Sequence, residues 1–224
     1  MKKTILEMEE YSLENHIAIM DKKTITSIMS FIKKNNVKSV LEIGSGIGYS
    51  AILMASVDPS VNVTTIETNE DLYMDSLKNI KKVGFDKKIN VVYHDALELN
   101  LPEETSYDLI ILDAARGKYI KYFEKYEHFL VDNGSFITIR VNYQNKVGKS
   151  KNVEDENLKC LLEKIEKYVE FLKDNKNYET KFYDIDEGLA ISSKVKKAWY
   201  NYHVFFIWQT IYNIVRLNPL LSNW

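Results

Sequence analysis

VKSVLEIGSGIGYS, residues 37–50, decides the fold. A short β-branched run from Val37 to Ile43 carries one acid, Glu42, and breaks into Gly44-Ser45-Gly46-Ile47-Gly48. An apolar, helix-like stretch from Tyr49 to Val57 follows at once. A strand, a glycine turn and a helix start in that order form the crossover that holds adenosine-containing ligands. The glycines count because a Cβ would bar positive φ and close backbone approach. The spacing, G-x-G-x-G with Tyr49 next, departs from the dinucleotide fingerprint G-x-G-x-x-G. Glu42, two residues before Gly44, suits a ligand with a cationic group, which favours S-adenosylmethionine over a dinucleotide.

Outward from this turn, strand-like and helix-like segments alternate. Val37–Ile43, Val61–Ile66, Ile89–Tyr93, Leu109–Leu112 and Ser135–Ile139 read as strands. Helices are expected at Ser50–Val57, Asn69–Val83, Lys118–Leu130 and Glu154–Asp174. The strands are short and apolar on both faces, as a sheet covered on both sides requires. Tyr178–Asp184 and Leu189–Ser193 are two further strand-like runs, joined through Asp186-Glu187-Gly188 into a hairpin at the sheet edge. The expectation is an α/β fold with a doubly wound, mostly parallel seven-stranded sheet. Residues 1–36 read as two helices, with Asp21 as N-cap of the second.

The bulk properties exclude several classes. The 224 residues suit one α/β domain, or one domain with an appendage. Thirty basic and thirty-two acidic residues leave a net charge of −2, so no global basic field draws the chain to nucleic acid. Any RNA contact must rest on a local patch. A single cysteine, Cys160, permits no internal disulfide and suits a reducing, cytoplasmic setting. The four histidines show no metal-ligand spacing, and the N-terminal residues have no apolar signal region.

Residues 198–224 differ from the rest. All three tryptophans lie there, with Arg216 the only Lys, Arg, Asp or Glu. The stretch is apolar almost all round a helical wheel, although Asn201, His203, Gln209, Thr210 and Asn213 weaken a membrane-span reading. Packing onto the domain or a dimer partner, membrane contact through 198–224, and no role all stay open. The domain itself is taken as 1–197.

Acids recur where the predicted parallel strands end. Glu67 ends the second, where a carboxylate can accept both ribose hydroxyls of a nucleoside. Asp95-Ala96 follows the third, at the place for an adenine, and Asp113 follows the fourth. Open α/β sheets place ligands at these carboxyl ends.

With these residues in view, VLEIGSGIGYSA, TTIETNE, DALE, DLIILDAARGKY and NYETKFYDIDEGLAIS resemble the bacterial branch of the catechol and caffeoyl-CoA O-methyltransferase family. Within it the chain is most similar to tRNA 5-hydroxyuridine methyltransferases. The similarity runs from about Leu6 to Lys194. It implies a class I methyltransferase fold, S-adenosylmethionine as donor, and a homodimer. Carried over residue by residue, it places Met20 and Ser50 at the cofactor, beside Glu42, Gly44 and Gly48, which the glycine turn itself supplies as cofactor-binding candidates. It also puts Glu67 on the ribose, Ala96 at the adenine, and Asp113 between donor methyl and a divalent cation. Glu14–Met20 would line the site. Compared with family members, the N-terminus reads as shortened and the segment after Lys197 as added.

The departures fall on the metal site. The family's Mg²⁺ is held by the Asp after strand four and by an Asp-Asn pair ending strand five. Here strand five ends Ile137-Thr138-Ile139-Arg140-Val141. Asp113 is the one remaining ligand, because Ile139 offers none and Arg140 brings a positive charge. The family's lysine three residues after that Asp is Arg116 here, and guanidinium is effectively never deprotonated. In one reading Arg140 takes the cation's place beside Asp113 and Arg116 binds an anionic substrate. In another, catalysis is lost and the protein only binds S-adenosylmethionine. Arg140, Lys146, Lys149 and Lys151 cluster after strand five and could meet RNA phosphates, with Tyr143 stacking on a base. Hydroxylated uridine in tRNA is the preferred acceptor and a small, catechol-like hydroxylated acceptor the alternative.

Overall fold

The structure is a computed structural model that describes residues 1–142 and 146–195. Expectations for Tyr143 and for the 198–224 appendage lie outside these residues. Seven strands form one sheet: β1 (Ser39–Ile43), β2 (Asn62–Glu67), β3 (Ile89–Tyr93), β4 (Tyr107–Leu112), β5 (Leu130–Ile139), β6 (Tyr178–Tyr183) and β7 (Leu189–Lys194). The order is β3-β2-β1-β4-β5-β7-β6. The first five are parallel, and β7 pairs antiparallel with both β5 and β6. The strand order reverses between β1 and β4, which opens a crevice at their carboxyl ends.

Helices cover both faces. They are α1 (Lys2–Glu14), α2 (Lys22–Lys34), α3 (Tyr49–Ala55), α4 (Glu70–Lys82), α5 (Tyr119–Tyr126) and α6 (Glu156–Asp174). Successive strand residues feed opposite cores, as a period of two demands. Val40, Leu109, Ile111 and Ile137 pack with α2 and α3 residues such as Ile28, Ile32 and Ile52. Leu41, Ile110, Leu112 and Phe136 pack with Phe123, Tyr126 and Tyr168 of α5 and α6. Phe123 stacks on Phe136 with ring centroids 4.1 Å apart. Among the described residues no helix is long and apolar enough to cross a membrane.

Element ends depart from expectation where side chains act at a distance. β5 starts at Leu130, five residues early, because Leu130 pairs with Tyr107 before a register shift in the ladder. Asn69 caps α4 by accepting from Leu72 N–H at 3.0 Å. Asp21 holds the N-cap position of α2, yet its side chain makes no capping bond. Asp186, from the β6–β7 turn, accepts from the Thr24 N–H instead, at 3.0 Å.

Candidate active site

A cleft of about 390 Å³ opens at the carboxyl ends of the parallel strands, within the range of roughly 300–1,000 Å³ for small-molecule sites. Met20, Gly44, Ser50, Glu67, Asp95, Ala96, Asp113 and Arg140 all line it. Six of these eight sit at or just beyond strand ends, so the sheet itself converges them.

Gly44 makes the convergence possible. Its φ is +101°, and a Cβ there would lie 2.2 Å from the Asp113 carbonyl oxygen. Only glycine lets β1 leave the sheet this close to β4. The Asp113 N–H donates to the Ile43 carbonyl at 2.9 Å, which fixes the start of the Asp113 loop.

Glu67 is held from three sides. Its Oε2 accepts from Gly46 N–H at 2.8 Å, and its Oε1 from Thr68 and Asn69 N–H at 2.8 and 2.9 Å. A carboxylate has about four acceptor positions. Those three bonds leave acceptor capacity on Oε2 for a ribose hydroxyl. At the far end, Lys118 Nζ lies 3.7 Å from Asp95 Oδ2, and Tyr126 OH donates to the Ala96 carbonyl at 2.6 Å. Lys118 and Tyr122 line the cleft too, and no sequence signal singled them out.

Two glycine-loop assignments need correction. Glu42 does not line the cleft; it is fully buried beneath it. Ser50 Oγ donates to its Oε1 at 2.5 Å and Thr65 Oγ1 to its Oε2 at 2.8 Å. Burial pushes its carboxyl up to about 8, against the lowering effect of those two hydroxyls. A neutral acid behind Ser50 orients that residue and meets no cationic ligand. Gly48 also stays off the cleft, at the N-cap of α3 against Ser76 of α4.

The end of β5 differs from the expected ligand set. Ile139 points into the core with Ile137 and Leu189 and offers no donor. Arg140 Nη1 donates to Asp113 Oδ1 at 2.5 Å. Burial pushes the Asp113 carboxyl up to about 7, while Arg140 and Arg116 draw it down and Asp21 and Glu67 push it further up. Glu187 lies beside the pair, 3.6 Å from Arg140 Nε and 3.4 Å from Arg116 Nη2. Arg116 faces Glu187 and is not among the residues that line the cleft, whereas Asp113 and Arg140 are. Mg²⁺ needs several hard oxygen ligands. An aliphatic side chain and a guanidinium at the Asp-Asn positions do not fit it. Asp113 is accordingly an ion-pair partner rather than a metal ligand.

The donor set does fit S-adenosylmethionine. The cleft offers a carboxylate acceptor at Glu67, a polar and aromatic end at Asp95 and Tyr122, and an open glycine backbone at Gly46, where a Cβ would meet only the Ala18 carbonyl, at 3.8 Å.

The O-methyltransferase family matches residues 3–195. A candidate caffeoyl-CoA O-methyltransferase from Staphylococcus aureus, known from its crystal structure, is 36% identical with a TM-score of 0.81. That match covers 85% of this chain and 92% of the other. A candidate caffeoyl-CoA O-methyltransferase of Arabidopsis thaliana is 32% identical over 98 residues, 42% of each chain. The chain spans about half the length, or less, of the curated relatives it matches. An O-methyltransferase from Bacillus cereus, crystallised with SAH, shares the fold at a TM-score of 0.74 and 16% identity, over 86% of this chain and 91% of that one.

Proposed function

The chain belongs to the O-methyltransferase family, and from that premise we propose that it methylates a hydroxyl oxygen without a divalent cation, Arg140 standing in the cation's place. The observation that carries this is the Arg140–Asp113 contact at 2.5 Å inside the cleft. A metal in such a site binds, acidifies and orients a hydroxyl. A guanidinium can perform the electrostatic part, because its charge is permanent and its N–H donors are directional.

S-adenosylmethionine, bound along Glu67, Asp95 and Ala96, would supply an electrophilic methyl group. Arg140 stabilises the acceptor oxyanion and holds it in line with that methyl. Asp113, raised to about 7 by burial, is the cleft carboxylate suited to take the hydroxyl proton near neutral pH. No lysine base stands three residues after Asp113, so the acceptor hydroxyl must itself be acidic.

A hydroxylated uridine in tRNA meets that requirement. Lys149 and Lys151 support it, being exposed on the loop after β5. Glu166 of α6 anchors that loop, accepting from Gly148 N–H at 2.7 Å and Ser150 Oγ at 2.8 Å. A small phenolic acceptor is the second reading, supported by the caffeoyl-CoA O-methyltransferase names among the relatives. A cytoplasmic homodimer belongs to the same proposal.

The test is transfer of labelled methyl from S-adenosylmethionine to tRNA carrying unmethylated 5-hydroxyuridine, with Mg²⁺ and again with EDTA. Transfer that survives EDTA is the expected result. Loss in EDTA would overturn the metal-free reading. Transfer to a catechol alone would select the second acceptor. No transfer to either, from protein that binds S-adenosylmethionine, would leave a binding protein without catalysis.

A further inference from the structure

The β6–β7 turn, residues 185–188, reaches three separate parts of the molecule. Asp186 Oδ2 accepts from the Thr24 N–H at 3.0 Å and the Thr24 hydroxyl at 2.7 Å, at the start of α2. The Glu187 carbonyl accepts from Asn142 N–H at 2.7 Å, and the Gly188 carbonyl from Val141 N–H at 3.3 Å. A Cβ on Gly188 would lie 2.7 Å from Asn142 N, so the two segments touch backbone to backbone. The Glu187 carboxylate then faces Arg140 Nε at 3.6 Å and Arg116 Nη2 at 3.4 Å.

Arg140 itself has φ +58°, a left-handed conformation uncommon outside glycine. Such a backbone persists only where its surroundings over-determine it, and it clusters at functional sites. Here the Tyr119 hydroxyl donates to the Ile139 carbonyl at 3.0 Å on one side, and the turn grips Val141 and Asn142 on the other. The guanidinium is hydrogen-bonded at one edge, Nη1 to Asp113, and ion-paired at the other, where Nε lies 3.6 Å from Glu187. A planar fork bonded at one edge and drawn by a carboxylate at the other has a preferred direction for its remaining donors.

We propose that Glu187 is the positioning residue that aims the Arg140 guanidinium at the acceptor oxygen. This rests on the Arg140 reading of the proposed function and adds the part that sets its direction. Glu187 is off the cleft lining and touches no substrate; it acts through Arg140. Removing the Glu187 charge takes away the carboxylate that faces Nε and leaves both guanidinium charges and the Asp113 contact in place.

The experiment compares the full chain with Glu187→Gln and Glu187→Asp. One readout is the ¹H–¹⁵N signal of Arg140 Nε–Hε, assigned by its loss in Arg140→Lys. The other is kcat and KM with S-adenosylmethionine and 5-hydroxyuridine tRNA. In the wild type the Nε–Hε signal should be shifted and slow to exchange. Glu187→Gln should move it to the position and exchange rate of a solvated arginine and lower kcat by about tenfold or more, since small misplacements at a reacting centre are costly. KM should stay unchanged or fall, and the Kd for S-adenosylmethionine should stay within about twofold, as for a group remote from the ribose site. Glu187→Asp should restore part of both signals. A Glu187→Gln protein that keeps the Nε–Hε signal overturns the proposal, including when kcat falls together with Tm, because that pattern marks a structural turn only. If the wild type does not methylate this tRNA, the proposed function fails on its own, and the Nε–Hε signal still decides the role of Glu187.

Discussion

The cleft has two halves built in different ways. On one side, the ends of β1, β2 and β3 contribute Gly44, Gly46, Glu67 and Asp95, each within a few residues of a strand end. Backbone amides of the same stretch hold Glu67 in place. On the other side, the end of β5 contributes Arg140, held by a carboxylate 47 positions further along the chain. The first half is assembled by the ends of three neighbouring parallel strands. The second exists only once the antiparallel hairpin has docked against β5. A ligand half built locally can stay constant while a reaction half built from remote turns changes its chemistry.

Breaking the second half should have the largest effect. Arg140→Ala removes the guanidinium and leaves Asp113 buried with its nearest positive partner gone. Loss of one preorganised electrostatic donor costs about 100- to 1,000-fold in kcat. That loss is expected in the methyl-transfer assay, with S-adenosylmethionine affinity by calorimetry changed little. Turnover that survived Arg140→Ala would place the oxyanion partner elsewhere.

Glu42 sharpens the first half through pH. Its carboxyl is raised from 4.5 to about 8, so the folded state holds its proton where the unfolded state has lost it. The stabilisation is complete below about pH 4.5 and is lost as pH rises through 8. A shift of this size makes a difference of roughly 3 kcal/mol between pH 5 and pH 8. Glu42→Gln, neutral at every pH, should therefore melt above the wild type at pH 8, with the gain shrinking toward pH 5. A parallel pair of melting curves across that range would show that Glu42 is ionised in the fold.

Glu67→Ala comes next. It removes a ribose acceptor and the anchor for the Gly46, Thr68 and Asn69 amides together. Hydrogen bonds to a charged group contribute about 1.5–3 kcal/mol each, so S-adenosylmethionine should bind about tenfold to a hundredfold more weakly. Unchanged binding by calorimetry would move the ribose site away from β2.

The two halves also differ in what the sequence revealed. The glycine turn, the strand-end acids and the β-α alternation are short-range patterns, and the sheet order and cleft followed from them. Gly48 and Glu42 were misplaced because a motif fixes spacing, not which side of a strand end a group faces. Glu42 points down between β1 and β2, where Ser50 and Thr65 meet it. Glu187 and Asp186 read only as turn residues, because nothing local marks their partners at 140 and 24. Arg140 was legible as a departure, but its left-handed backbone and its second carboxylate were not. Asp21 shows the same limit at a helix start: the position was correct and the capping side chain came from Asp186.

That cap is where the two halves touch, and it gives the smallest expected effect. Asp186 has φ +50°, so the substitution must tolerate left-handed backbone, which asparagine does. Asp186→Asn keeps an acceptor for the Thr24 N–H but exchanges a charge-assisted bond for a neutral one. The expected loss is about 0.5–1 kcal/mol of stability in denaturant melts, the scale of a weakened helix cap. The stretch leading into α2 includes Ala18, Ile19 and Met20, which line the cofactor side of the cleft. A looser start to α2 should therefore speed S-adenosylmethionine release slightly, while leaving the Arg140 Nε–Hε signal in place. If that signal moved as well, the turn would couple the two halves as one unit, and their separate construction would not make them energetically independent.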